Sequence, residues 1–200
     1  MTLYDMNPPF QNLLRPLVVK LHQRGVTANQ VTLVAMFSSI VLGGILMLFP
    51  FPVLYISLPI FLFFRMALNA IDGMLAREFN QRTPLGAILN ESGDLISDAA
   101  LYLAFAFLTG VSPQLVVVVV LLSWFSEFCG ILTQTLTGKR DNRGPLGKSD
   151  RAFLFGTSGL GIALWPQYLY IFNVVLIVAA LLLIWTCINR CREAVAVMNV

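Results

Sequence analysis

Residues 69–98 read NAIDGMLAREFNQRTPLGAILNESGDLISD, and the way this run divides decides the fold. Thr83-Pro84 splits it, because the residue before a proline is pushed out of the helical region. What remains is the end of one helix and the start of another running back beside it. Asn69, Asp72 and Ala76 share a face of the first at i, i+3 and i+7. Gly86, Asn90, Asp94 and Asp98 form an unbroken i+4 ladder on the second. A hairpin between the two helices brings Asp72 and Asp94 toward one point. Both helices continue into apolar runs of membrane length, where polar and ionisable groups are costly and mark function.

Outward from this hairpin the chain is apolar. Of its 200 residues 58% are hydrophobic and 12% charged, against about 25% charged in an average soluble domain. A soluble core of this size cannot hide so much apolar surface, so the bilayer is the expected solvent. Six stretches approach the roughly 20 residues a helix needs to span about 30 Å of hydrocarbon: 29–49, 52–78, 86–109, 113–137, 149–165 and 168–190. The expected fold is an all-α membrane protein, one domain over 1–200, with six transmembrane helices over 29–190 and a juxtamembrane segment over 1–26. In that segment Phe10, Leu13, Leu14, Leu17, Val18 and Leu21 recur at helical spacing between Arg15, Lys20 and Arg24. The pattern predicts an amphipathic helix that lies in the membrane interface, packs on the bundle, or does both. Pro8, Pro9, Arg15 and Lys20 interrupt its apolar residues, so no cleaved signal peptide is expected.

Basic residues sit in every second connection. Arg77 and Arg82 lie between spans two and three, and Lys139, Arg140, Arg143, Lys148 and Arg151 lie around the turn between four and five. Arg190 and Arg192 are expected to follow span six, while the alternate connections carry no charge. The positive-inside rule then predicts cytoplasmic termini and a hairpin facing the cytoplasm. Trp165, Tyr168 and Tyr170 suit an aromatic belt on the outer side. Of the 13 basic residues only Arg65 is expected within the membrane, about 10 Å deeper than Asp72 by helix rise. Such an arginine needs an ion pair, and Asp98 and Glu127 reach a similar depth.

Carboxylates converging from two helices beside small residues suit hard, oxygen-seeking cations, Mg²⁺ or Mn²⁺. Gly73 and Ala76 leave room for a flat base or a pyrophosphate, and Arg77 is placed to hold a phosphate. The basic cluster, with Lys148 and Arg151 foremost, suits an anionic acceptor; it serves equally as a topology signal and as attraction to anionic headgroups. Gly43, Gly44, Gly156, Gly159 and Gly161 predict close helix contacts. Cys129, Cys187 and Cys191 fall in apolar stretches with no CxxC pair and read as packing residues. Nothing in the chain points to nucleic acid.

The 69–98 run resembles the signature of the CDP-alcohol phosphatidyltransferase family, DxxDGxxAR-x8-GxxxDxxxD. Asp72-Gly73, Ala76-Arg77, Gly86 and Asp94 stand at matching positions, with eight residues between Arg77 and Gly86. Thr27 to Thr32 is similar to the family's entry into its first span, and Gly147-Lys148 to its Gly-Lys before the fifth. The resemblance implies a six-span, metal-dependent enzyme whose acceptor hydroxyl attacks the β-phosphorus of a CDP-alcohol such as CDP-diacylglycerol, releasing CMP. It places the CDP moiety at Asp72, Gly73, Ala76, Arg77 and Gly86. One or two Mg²⁺ or Mn²⁺ ions fall at Asp72, Asn69, Asn90 and Asp94, and the general base at Asp94. It further implies a homodimer, membrane-lipid partners and, from ARxxNQxT…LGA, a bacterial inner-membrane synthase with a lead to glycerol 3-phosphate, while serine, an inositol phosphate or another phospholipid's headgroup stay open as acceptors. The sequence departs from the signature at two places: Asn69 and Asn90 stand where the family has aspartates. An amide oxygen still ligates a metal but brings no charge. A register in which Asp94 and Asp98 fill the last two positions also stays open, as do a catalytically weak CDP-lipid-binding relative and a small transporter subunit. Against the transporter, no internal repeat is visible and the acidic cluster lies toward one face.

Overall fold

Hydroxyl caps and prolines start the membrane helices. Thr27 opens one with a reciprocal cap, its Oγ1 accepting from Gln30 N–H at 3.3 Å while Gln30 Oε1 accepts from Thr27 N–H at 2.9 Å. Thr83 caps another through Gly86 N–H (2.9 Å) and Ser112 a third through Leu115 N–H (3.4 Å), each followed by proline in the first turn. The computed structural model describes residues 8–138 and 144–198. Their order is α1 (Pro8–Gln23), α2 (Ala28–Leu48), α3 (Ser57–Glu78), α4 (Pro84–Leu103), α5 (Pro113–Thr137), α6 (Lys148–Leu164) and α7 (Leu169–Met198). Short 3₁₀ turns precede α3 and α7 and follow α4, and no strand occurs among the described residues.

α2 packs most extensively on α4, and α5 on α7, while α3 lies between α2 and α6. Small residues set two of these approaches: a Cβ at Gly43 would overlap the Ala100 carbonyl, and one at Gly159 would sit 2.9 Å from the Tyr55 carbonyl oxygen. Gly44 and Gly161, also expected at helix contacts, face open space instead. The main core is aromatic at its centre, with Tyr102 stacked on Phe155 at 3.9 Å and Phe105 on Phe172 at 4.8 Å. Tyr55 satisfies its buried hydroxyl by donating to the Ala104 carbonyl at 2.6 Å. A smaller core of Val18, Ala28, Val31, Ile71, Met74 and Leu75 holds α1 against α2 and α3. Thus α1 does pack on the bundle, Arg15 meeting Glu78 at 3.0 Å, while Leu13 stays 74% exposed.

The outer surface is apolar, with Ile60, Phe63, Leu121, Val174 and Leu181 among its exposed side chains. Four helical stretches are long and apolar enough to cross a membrane: Ala28–Leu48, Pro52–Glu78, Pro113–Thr137 and Pro166–Val197. α4 and α6 are the polar partners that complete the bundle. Two expected span ends move. The 86–109 stretch is α-helical only to Leu103 and finishes in a 3₁₀ turn, and the last helix runs past 190 to Met198. Arg190 therefore does not follow the final span. It lies inside α7, 1% exposed, because Glu127 on α5 offers it a charge at that depth.

Candidate active site

The hairpin of α3 and α4 closes one end of a cavity of about 560 Å³, whose wall α2, α5, α6 and α7 complete. Asn69, Asp72, Gly73, Ala76 and Arg77 line it from α3, and Gly86, Asn90, Asp94 and Asp98 from α4. Glu127, Lys148, Arg151 and Arg190 close the far side, with Asn29 and Thr32 entering from α2. Arg65 is not on the cavity wall; it lies behind it, paired to Asp94 and Asp98.

Asp72 is 6% exposed, and its Oδ2 accepts from Thr32 Oγ1 at 2.9 Å. Among the described residues no lysine, arginine or histidine pairs with it. Asp94 is the opposite case. Its Oδ1 accepts from Arg65 Nη2 at 3.1 Å and from Asn69 Nδ2 at 3.0 Å, and its Oδ2 from Lys148 Nζ. Arg65 Nη1 pairs with Asp98 at 2.5 Å, so one guanidinium ties two rungs of the α4 ladder. Glu127, the other acid at Arg65's expected depth, belongs to a second cluster, 2.9 Å from Arg151 Nη2 and 3.7 Å from Arg190 Nη1. Arg151 Nη2 also reaches Asp98 at 3.5 Å, which joins the two clusters. Arg190 Nη1 further donates to the Ser126 carbonyl.

Arg151 is 1% exposed and its charge is met by Glu127 and Asp98, so it braces the cavity floor. Lys148 opens α6, with its side chain 31% exposed. Its helix start is secured where Gly147 N–H donates to Asp150 Oδ2 at 2.9 Å. Lys139, Arg140 and Arg143 lie outside the described residues. The small residues have distinct uses: Arg77 folds back over Gly73, where a Cβ would sit 3.1 Å from its Nη1. A Cβ at Gly86 would fall 2.7 Å from Asn29 Oδ1, the end of an α2 side chain at the cavity wall. Sequence reasoning missed Arg190, Thr32 and Asn29. Arg190 carried a signal, an acid without an assigned partner in Glu127, and Asn29 and Thr32 lie in the Thr27 to Thr32 stretch already noted, though no site role was read from it.

The donor set suits a hard divalent cation in part. Asp72 is a buried carboxylate with no ion-pair partner among the described residues, and Asn69 and Asn90 line the same wall with amide oxygens to offer. Among the described residues, however, no three of His, Cys, Asp and Glu converge as a ready cage. The cysteines form none either: Cys129 and Cys191 sit with sulfurs 3.6 Å apart as free thiols.

An antiparallel helix pair thus offers acids to a cavity in an all-helical bundle, four of whose helical stretches are long and apolar enough to cross a membrane. Residues 25–188 match the CDP-alcohol phosphatidyltransferase family, and the chain belongs to it. It is 53% identical over 193 residues to an inner membrane protein of Escherichia coli, YnbA, covering 96% of each chain. It is 27% identical over 175 residues to the phosphatidylinositol phosphate synthase of Mycobacterium marinum, covering 80% of this chain and 71% of that one. The fold matches that of the Mycobacterium tuberculosis phosphatidylinositol phosphate synthase. With CDP-DAG bound, that structure gives a TM-score of 0.74 at 21% identity, over 90% of this chain and 92% of that one. With manganese and citrate it gives 0.72 at 22% identity, over 90% and 87%.

Proposed function

We propose that the chain transfers a phosphatidyl group from CDP-diacylglycerol, or a similar CDP-alcohol, to an alcohol acceptor and releases CMP, in phospholipid synthesis. The observation that carries this is the joint placement of Asp72 and Asp94 on one cavity wall, within the motif residues Gly73, Ala76, Arg77 and Gly86. This reading takes six spans and cytoplasmic termini, with the cavity at the inner boundary of a bacterial inner membrane. There a water-soluble CDP head and its lipid tails meet, the tails passing between helices.

In this mechanism the CDP head lies along α3. Gly73 and Ala76 present no bulk to it, and the exposed Arg77 swings from Gly73 to hold a phosphate. Asp72, with the amide oxygens of Asn69 and Asn90, would hold Mg²⁺ or Mn²⁺, which supplies charge neutralisation at the pyrophosphate and the departing CMP. Asp94 takes the acceptor's proton as its hydroxyl attacks phosphorus. A carboxylate has about four acceptor positions, and Arg65, Asn69 and Lys148 fill three on Asp94, leaving one for that hydroxyl. Lys148 Nζ has further protons for an anionic acceptor. Glycerol 3-phosphate and an inositol phosphate are the leading candidates, the latter because of the relatives' names.

Purified protein given labelled CDP-diacylglycerol, Mg²⁺ or Mn²⁺ and a panel of alcohols should release CMP with at least one acceptor. The three donors already on Asp94 favour a second reading, a CDP-lipid-binding relative without turnover. Tight CDP-diacylglycerol binding with no CMP release from any acceptor would establish it instead.

A further inference from the structure

The chain's three cysteines converge from two helices. Cys129 on α5 is buried, and the Cys191 thiol on α7 meets its sulfur at 3.6 Å, across 62 positions of chain. Cys187, one turn before Cys191, is buried as well, whereas Cys191 is exposed beside the exposed Arg192. Packing, the role expected for all three, accounts for the two buried thiols but not for an exposed one set against a buried one. The surrounding contacts fix this register. Thr133 Oγ1 lies 2.9 Å from the Cys129 carbonyl and 3.2 Å from the carbonyl of Arg190, the residue before Cys191. Arg190 in turn reaches the Ser126 carbonyl and, at 3.7 Å, Glu127. The Arg190–Cys191 turn of α7 is therefore tied to α5 both before Cys129 and after it.

We infer that Cys129 and Cys191 are a redox modification site, closing to a reversible disulfide when the chain meets a hydroperoxide and clamping α5 to α7. A disulfide holds its sulfurs about 2.05 Å apart, so the observed contact must close by about 1.5 Å, a distance for side-chain rotation rather than helix movement. Cys191, the thiol within reach, reacts first: its sulfur takes an oxygen from the peroxide, the O–O bond breaks, and water leaves a sulfenic acid behind. The Cys129 sulfur then attacks that sulfur. The S–S bond forms, the S–O bond breaks, and the thiol proton departs with the oxygen as a second water. Two thiols and one hydrogen peroxide thus give one disulfide and two waters. A small dithiol reverses this by exchange, becoming a disulfide itself while both cysteines regain their protons. A reducing compartment keeps the pair as thiols at rest. The clamp falls beside Arg190, which lines the cavity, so oxidation fastens the part of α7 that forms the cavity floor. It stands apart from phosphatidyl transfer and holds whether or not the chain turns over a CDP-alcohol.

The test treats the reduced full chain in detergent with hydrogen peroxide, then denatures it, labels free thiols with a maleimide and maps the peptides by mass spectrometry. All three cysteines should carry label before treatment and Cys187 alone after it, with a Cys129–Cys191 cross-linked peptide that dithiothreitol abolishes. The oxidised chain should melt at or above the temperature of the reduced one, because the helices already stand in the bonded register. Cys187→Ala should cross-link like the unaltered chain, and Cys191→Ala should lose label about tenfold more slowly, its remaining thiols being buried. Retention of all three labels, a cross-link through Cys187 or between two chains, over-oxidation of Cys191 without a cross-link, or a lower melting temperature after oxidation would overturn the inference. The mapping on the unaltered chain decides this even if a variant fails to fold.

Discussion

At the scale of single residues the site is a chain of ion pairs whose members are not equally replaceable. Glu127 is shared by Arg151 and Arg190, both 1% exposed. Removing one side of a buried pair leaves an uncompensated charge at a cost of about 3–5 kcal/mol. Glu127→Leu is therefore expected to lower the melting temperature sharply, and a scan of detergent-solubilised protein checks it. Asp94→Asn should behave differently, because Arg65 keeps Asp98 and Lys148 can turn to water. Melting should change little while CMP release falls at least a hundredfold. Near-normal turnover in Asp94→Asn would remove it as the base. The need for a partner at Arg65 was legible in the sequence, since a buried arginine requires one. Which acid served it was not, because Asp98 and Glu127 lie at similar depth and only packing decides between them.

At the scale of elements, the caps and breaks were readable because they are local. Thr27, Thr83 and Ser112 with their following residues start helices through hydrogen bonds spanning three positions. Glycine contacts are not local in that sense: five glycines shared one sequence signal, yet Gly43 and Gly159 meet backbone while Gly44 and Gly161 meet nothing. Gly43→Val is expected to force α2 from α4 at a cost of about 1–3 kcal/mol for overpacking. Gly44→Ala, facing open space, should be near neutral. Paired denaturation curves in the same detergent compare them. The end of α7 was hidden for a related reason. Arg190 looks like a boundary in one dimension and becomes interior only because α5 supplies Glu127 and the Ser126 carbonyl.

At the scale of the whole molecule, the apolar exterior and the polar cavity belong to one design. Exposed apolar side chains cover the lipid-facing surface, and the charged residues gather where α3, α4, α5, α6 and α7 enclose the cavity. The orientation proposed from the basic connections is testable in intact cells. In a variant with all three cysteines replaced by alanine, a membrane-impermeant thiol reagent should label Ser112→Cys and spare Gln81→Cys. Labelling of Gln81→Cys alone would invert the topology.

Hydrophobic run length, proline breaks and the i+4 ladder of residues 86–98 are properties of the chain in one dimension. From them the helical membrane class, the hairpin and the motif residues could be determined before any coordinates. Partnership is a three-dimensional property. That Asp94 accepts from Arg65, Asn69 and Lys148 while Asp72 accepts from Thr32, and that Arg151 and Arg190 share Glu127, depends on contacts between residues 24 to 64 positions apart. Charges in a low-dielectric interior find the nearest opposite charge in space, and only the packing of the helices says which that is.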